Sequence, residues 1–308
     1  MADIEFRPGD TGDDTTRQER KNPLRRMRPV WAVLRDATDG LFRHDGVMVA
    51  SAIAFSLVFA LFPFAIFVVA LGAILGGADL AAYIRGEALG LLPAHVIQTL
   101  EPELERILVV TERARPLTFG ILVTLVSITG AVEAIRDGLN RAYGCVEDRH
   151  VLRRYLSSLF FVFVGMAFLL VIATLGVVIP VWLDMLHRFF PETELELHFL
   201  ETGSEALLVG TTAAMLFALH LFLPARRRRV ASVVGGVLLT LATWWLAAKG
   251  FGLYISEIAN YSATYAGLAG IVVLMFFLYI QSLIFLYGAE VNRSIADYRG
   301  TALCRVEE

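Results

Sequence analysis

The sequence predicts an all-α integral membrane protein with six transmembrane helices and short amphipathic helices lying at the interface. Three observations carry that prediction. Of the 308 residues, 56% are AVILMFWYC and only 19% are DEKR, whereas charged residues make up about a quarter of an ordinary soluble domain. Six long, nearly uncharged runs follow one another along the chain, each long enough for a helix to cross about 30 Å of hydrocarbon. The Arg and Lys residues gather in alternate connections, the pattern that sets the orientation of membrane helices.

Residues 1–46 are polar and carry nine Arg or Lys. Within them Val30, Leu34, Ala37 and Leu41 share one helical face, which predicts an amphipathic helix lying on the cytoplasmic side of the membrane. The first span covers about 47–76, too long and too late for a secretory signal. Residues 93–113 repeat Ile97, Leu100, Leu104, Ile107 and Leu108 at helical spacing between glutamates. They read as an amphipathic cover for the outer face. The remaining spans fall at about 117–143, 156–183, 206–223, 230–256 and 267–290, giving a transmembrane domain over 47–293 and a tail over 294–308. Helix is the form expected for each, because lipid offers no partner for an open sheet edge.

Beyond the nine at the N-terminus, five basic residues lie in Arg136–Arg154, four in Arg226–Arg229 and three in the tail. The other side holds five. The basic side is therefore expected in the cytoplasm, with both termini. Cys145 and Cys304 fall there, where thiols stay reduced. The net charge of −3 provides no bulk field for nucleic acid. The Arg226–Arg229 run is accounted for by topology and contact with anionic lipid.

Several stretches taken in order resemble one family. They are Ala54–Pro63 (AFSLVFALFP), Asn140, Pro224 before a basic turn, Gly235–Gly236, Lys249–Tyr254 (KGFGLY), and Tyr261–Asn292 ending in LYGAEVN. The chain resembles the YihY/BrkB family of bacterial inner-membrane proteins, once labelled ribonuclease BN, over about residues 30–298. It departs at Tyr265–Ala266–Gly267, where the family usually has Tyr-Gly directly. The resemblance implies a six-helix protein of the bacterial inner membrane. It further implies a link to serum resistance and envelope integrity, and a suggested role in exporting a lipid or another envelope component. No reaction is firmly assigned.

Ionisable residues inside a membrane are costly and therefore informative. Glu133, Arg136, Asp137 and Asn140 occupy neighbouring positions on one helix face near the cytoplasmic end of the second span. Glu290 reaches a similar depth in the last span, so Arg136 can pair with Glu133 or with Glu290. The group fits a staple between helices, or a polar gate or proton or ion site. Lys249 sits near the outer surface, where it snorkels to headgroups or contacts an anionic headgroup. Pro63 predicts a kink. Gly267 is a candidate hinge or a close-packing position.

The six histidines and two cysteines show no metal-ligand spacing, so no metal or cofactor is expected. There is no Walker loop and no nucleophile elbow, and no enzyme activity is expected. A hydrolytic nuclease normally needs metal-binding side chains in a wet site, which argues against the ribonuclease label. Two functions stand: a transporter or flippase-like exporter of a lipid or small envelope molecule, and a non-transporting scaffold or envelope-assembly factor. The expected partners are membrane lipids and a lipid or small-molecule substrate, with no nucleic acid. Small-residue faces permit a homo-oligomer.

Overall fold

A computed structural model describes residues 30–61, 114–175, 179, 182–183, 194–258 and 266–301. Among the described residues the only regular secondary structure is helix, with no strand. Seven helices are described: α1 (Val30–Arg43), α2 (Gly46–Leu61), α3 (Ala114–Tyr143), α4 (Val151–Ala173), α5 (Glu194–Phe222), α6 (Val230–Ile258) and α7 (Ala266–Tyr298). Pro63 and the amphipathic cover at 93–113 lie outside the described residues. Gly267 falls in the first turn of α7.

Four stretches are long and apolar enough to cross a membrane: Val151–Ile172, Thr202–Phe222, Val230–Tyr254 and Gly270–Tyr298. A fifth is counted if α1 and α2, bent by 68° at their junction, are taken as one broken span. The bend is local: Asp45 adopts a φ of 56°, in the left-handed region that stops a helix, and the Val49 amide restarts the ladder on the Asp45 carbonyl at 2.9 Å. The second apolar run lies in α3, a continuous 30-residue helix.

Only 17–22% of each spanning window is buried in the protein. Phe55, Phe160, Trp245, Leu246, Leu253 and Phe276 all face outward. So much outward apolar surface would not stay monomeric in water, and a bilayer covers it. The chain is a multi-pass membrane protein.

Among the described residues the inter-helix core gathers where Leu41, Ile53, Leu139, Leu216, Val237 and Leu286 meet. Helix α7 is the hub, packed on α6, α1 and α3, while α3–α4, α4–α5 and α5–α6 complete the chain of neighbours. The α6–α7 crossing needs glycine. A Cβ on Gly236 would overlap the Gly288 carbonyl, and one on Gly288 would overlap Thr240 Oγ1; small residues let membrane helices approach this closely.

Several boundaries differ from expectation; α5, for one, begins at Glu194 and not at 206. Helix α4 begins at Val151, not at 156, with His150 as its N-cap: His150 Nδ1 accepts the Leu152 amide at 3.4 Å. Helix α7 runs on to Tyr298, because its last turns are covered by α1 and not exposed to water. Tyr298 hydrogen-bonds Asp36 there. Cys145 is disulfide-bonded, against the reduced state expected of it.

Candidate functional site

The polar residues converge where α3 and α7 end and where α4 and α6 begin. Glu133 of α3 is the first centre. It takes hydrogen bonds from Arg136 one turn on, and from Arg154 and Ser158 of α4. Arg154 also reaches Asp137 at 3.3 Å. Arg136 is fully buried, and its Nε donates to the Leu223 carbonyl at the end of α5, 3.3 Å away. One carboxylate thus ties α3 to α4, and its guanidinium partner ties α3 to α5.

Asn140, one turn further, caps the Pro224 turn. Its Oδ1 accepts the Ala225 amide at 2.8 Å, and its Nδ2 donates to Glu147 at 3.2 Å. Arg149 donates to the Leu223 and Pro224 carbonyls, and Arg226 pairs with Asp148 at 2.8 Å. Burial lowers the pKa of both Arg149 and Arg228, yet a guanidinium stays charged through such a shift. The two basic connections, 144–150 and 223–229, are therefore locked face to face.

Glu290 of α7 forms a second centre. Its Oε1 lies 2.7 Å from His44 Nδ1, at the α1–α2 bend. Its other oxygen rests where a Cβ on Gly40 would be, so α1 presses backbone-first on the carboxylate. Arg293, one turn on, lies 3.0 Å from His44 Nε2 and donates to the Ala142 carbonyl at 3.2 Å.

Between these centres runs a buried neutral chain. Tyr143 Oη lies 2.7 Å from His220 Nδ1 and accepts from Asn292 Nδ2 at 3.3 Å. Asn292 Oδ1 accepts the Gly236 amide at 2.6 Å, and the Arg228 guanidinium covers the Tyr143 ring at 4.4 Å.

Between α2, α3, α4 and α5 opens an apolar cleft of about 220 Å³. Leu57 of α2, Ala131 and Ile135 of α3, Val162 and Gly165 of α4 and Leu219 of α5 are among its walls. Its lining is apolar throughout, and Glu133, Arg154 and Ser158 are not part of it.

Of the expected site residues, Glu133, Arg136 and Asp137 come together, and the Arg136–Glu133 pair forms. The alternative Arg136–Glu290 pair does not. The reason is geometric: Glu290 faces the α1–α2 bend, where His44 meets it. Asn140 serves the turn and not the ionic cluster. Lys249 is exposed far along α6, with its ammonium 5.7 Å from the Trp245 ring centre. Arg154, Ser158, His44 and Arg293 were not anticipated. A histidine in the short link between two apolar helices was the available signal for His44. Among the described residues no three His, Cys, Asp or Glu side chains gather as for a metal ion.

A family model described as virulence factor BrkB matches residues 37–305. The chain belongs to the BrkB family. Its relatives include YfkH, a ribonuclease-like protein of Bacillus subtilis, 28% identical over 81% of this chain and 90% of that one. A UPF0761 membrane protein of Alkalilimnicola ehrlichii is 30% identical over 60% of this chain and 41% of its own length. One of Chromobacterium violaceum is 29% identical over 41% of this chain and 30% of its own. This BrkB-family chain thus spans most of the Bacillus relative and less than half of the other two. No solved structure matches it.

Proposed function

We propose that this BrkB-family protein is a six-span protein of the bacterial inner membrane that moves a lipid or small envelope molecule. The observation that carries the reading is the apolar cleft of about 220 Å³ walled by α2, α3, α4 and α5. An apolar trough of this kind suits the hydrocarbon part of an amphiphile. Its volume suits part of an acyl chain and falls short of the 300–1,000 Å³ of sites that enclose a whole drug-sized ligand. The basic end faces the cytoplasm, as the charge bias favours. The ribonuclease-like name of the Bacillus relative is not carried over: Glu133 and Glu290, the carboxylates of the two centres, are engaged by Arg, Ser or His.

A second reading, a scaffold that transports nothing, is favoured by one observation: every expected ionisable residue of the α3 cluster ties helix to helix. Purified protein in liposomes decides between them. Transport predicts faster transbilayer movement of a labelled lipid than in protein-free vesicles. No movement across anionic, neutral and single-chain lipids would leave the scaffold.

A further inference from the structure

His44 sits between a carboxylate and a guanidinium, with Glu290 Oε1 2.7 Å from Nδ1 and Arg293 Nη1 3.0 Å from Nε2. A guanidinium only donates, so Nε2 must accept. The geometry therefore assigns the neutral imidazole with its proton on Nδ1, donated to Glu290. We propose that His44 is a proton-operated latch: neutral, it holds Arg293 in a bridge from the α1–α2 bend to the end of α3, and protonated, it expels Arg293.

The chemistry follows from the atoms. A proton arriving at Nε2 places an N–H against an N–H at 3.0 Å, two donors and two positive charges without an acceptor. The Glu290 contact survives as an ion pair. Arg293 does not keep its place. It is the piece that spans His44 and the Ala142 carbonyl, and its guanidinium lies against Gly144. It has somewhere to go, since it is partly exposed and Asp297 lies 3.8 Å away on the same helix. His44 is itself 25% exposed, so protons reach it, and histidine is the side chain whose charge ordinarily changes between about pH 5 and 8.

The other charged groups around the bend are already committed. From α1, Arg43 donates to the Asp39 carbonyl. From the bend, Asp45 pairs with Arg141 of α3 at 3.6 Å. From α7 come Glu290, Arg293 and Asp297. Arg293 is thus the group that responds. Its release frees one restraint on the 144–150 connection, which leads into α4, one wall of the cleft. That last consequence rests on the transport reading; the latch itself does not.

Hydrogen-exchange mass spectrometry of the full protein in lipid nanodiscs, corrected for intrinsic rates, tests the latch. The Gly144 and Cys145 amides, bonded to Arg141 and Asn140 at 3.0 and 2.8 Å, report on the connection. Between pH 7.5 and 5.5 the wild type should lose about tenfold in protection there, the worth of one charge-assisted hydrogen bond. His44→Gln, which can donate to Glu290 and accept from Arg293 without titrating, should hold its protection at both values. Arg293→Gln should show the acid level already at pH 7.5. An unchanged wild type, or a His44→Gln protein that loosens equally, overturns the latch. Exchange that behaves as expected in a protein that moves no lipid in liposomes keeps the latch and removes the transport reading.

Discussion

Asn292 accepts the Gly236 amide at 2.6 Å, although both residues lie inside continuous helices. An amide already spent within its own helix shares its hydrogen with a side chain of α7, which is feasible only because Gly236 brings the backbones into contact. Asn292→Leu should lower stability by about 1–3 kcal/mol, since it removes the acceptor of the Gly236 amide and one of the two partners of Tyr143 in a buried site. Gly236→Ala should cost more than Gly235→Ala, because the latter meets only the flexible end of Ile295. Thermal unfolding in detergent checks both.

Glu133 and Glu290 should not behave alike. Glu133→Gln leaves Arg136, fully buried, without its counter-charge, an arrangement that costs about 3–5 kcal/mol when a buried pair is broken. Glu290→Gln leaves a histidine that can simply stay neutral, so its cost should be under half as large. Membrane protein level and melting temperature of the two variants give the comparison. Equal losses would show that Arg136 is stabilised by something other than Glu133.

Gly165 lines the cleft, and a Cβ there would meet nothing within 4 Å. Gly165→Leu should therefore fold with unchanged or raised stability, as filling a cavity allows, while reducing co-purified lipid and lipid movement. Undiminished lipid in mass spectra of the variant would place the substrate elsewhere.

Lys249 stands over the Trp245 ring in an exposed position. An exposed cation–π contact contributes about 0.5–1 kcal/mol. Lys249→Leu should change the melting temperature little, and a reduction of lipid movement in anionic vesicles alone would mark Lys249 as a headgroup contact.

The helices were legible because lipid demands long apolar runs, and the Arg136–Glu133 pair because three-residue spacing puts both on one helix face. The clustering of basic connections at one end was legible too, and the Arg149–Pro224 and Arg226–Asp148 contacts realise it. Partners across helices were not. That Glu290 meets His44, and that Glu133 recruits Arg154 and Ser158, depends on how each helix is rotated about its axis. Spacing along one chain segment says nothing of that rotation. The α1–α2 junction was legible, since the amphipathic face ends before the apolar run that starts at Val47 and Asp45–Gly46 is a turn dipeptide; its 68° angle was not. Asn292 stood in the LYGAEVN stretch, yet its role needed Gly236 of another helix to become visible.

Everything at the charged end presumes that the 144–150 and 223–229 connections face the cytoplasm. The disulfide at Cys145 pulls the other way, since a reducing compartment disfavours it, whereas the density of arginine pulls inward. Fusions joined directly after Arg229 decide the matter. A green fluorescent protein should fluoresce there and alkaline phosphatase should be inactive. An active phosphatase with a dark fluorescent fusion would put the arginine turn outside the cell membrane and contradict the account.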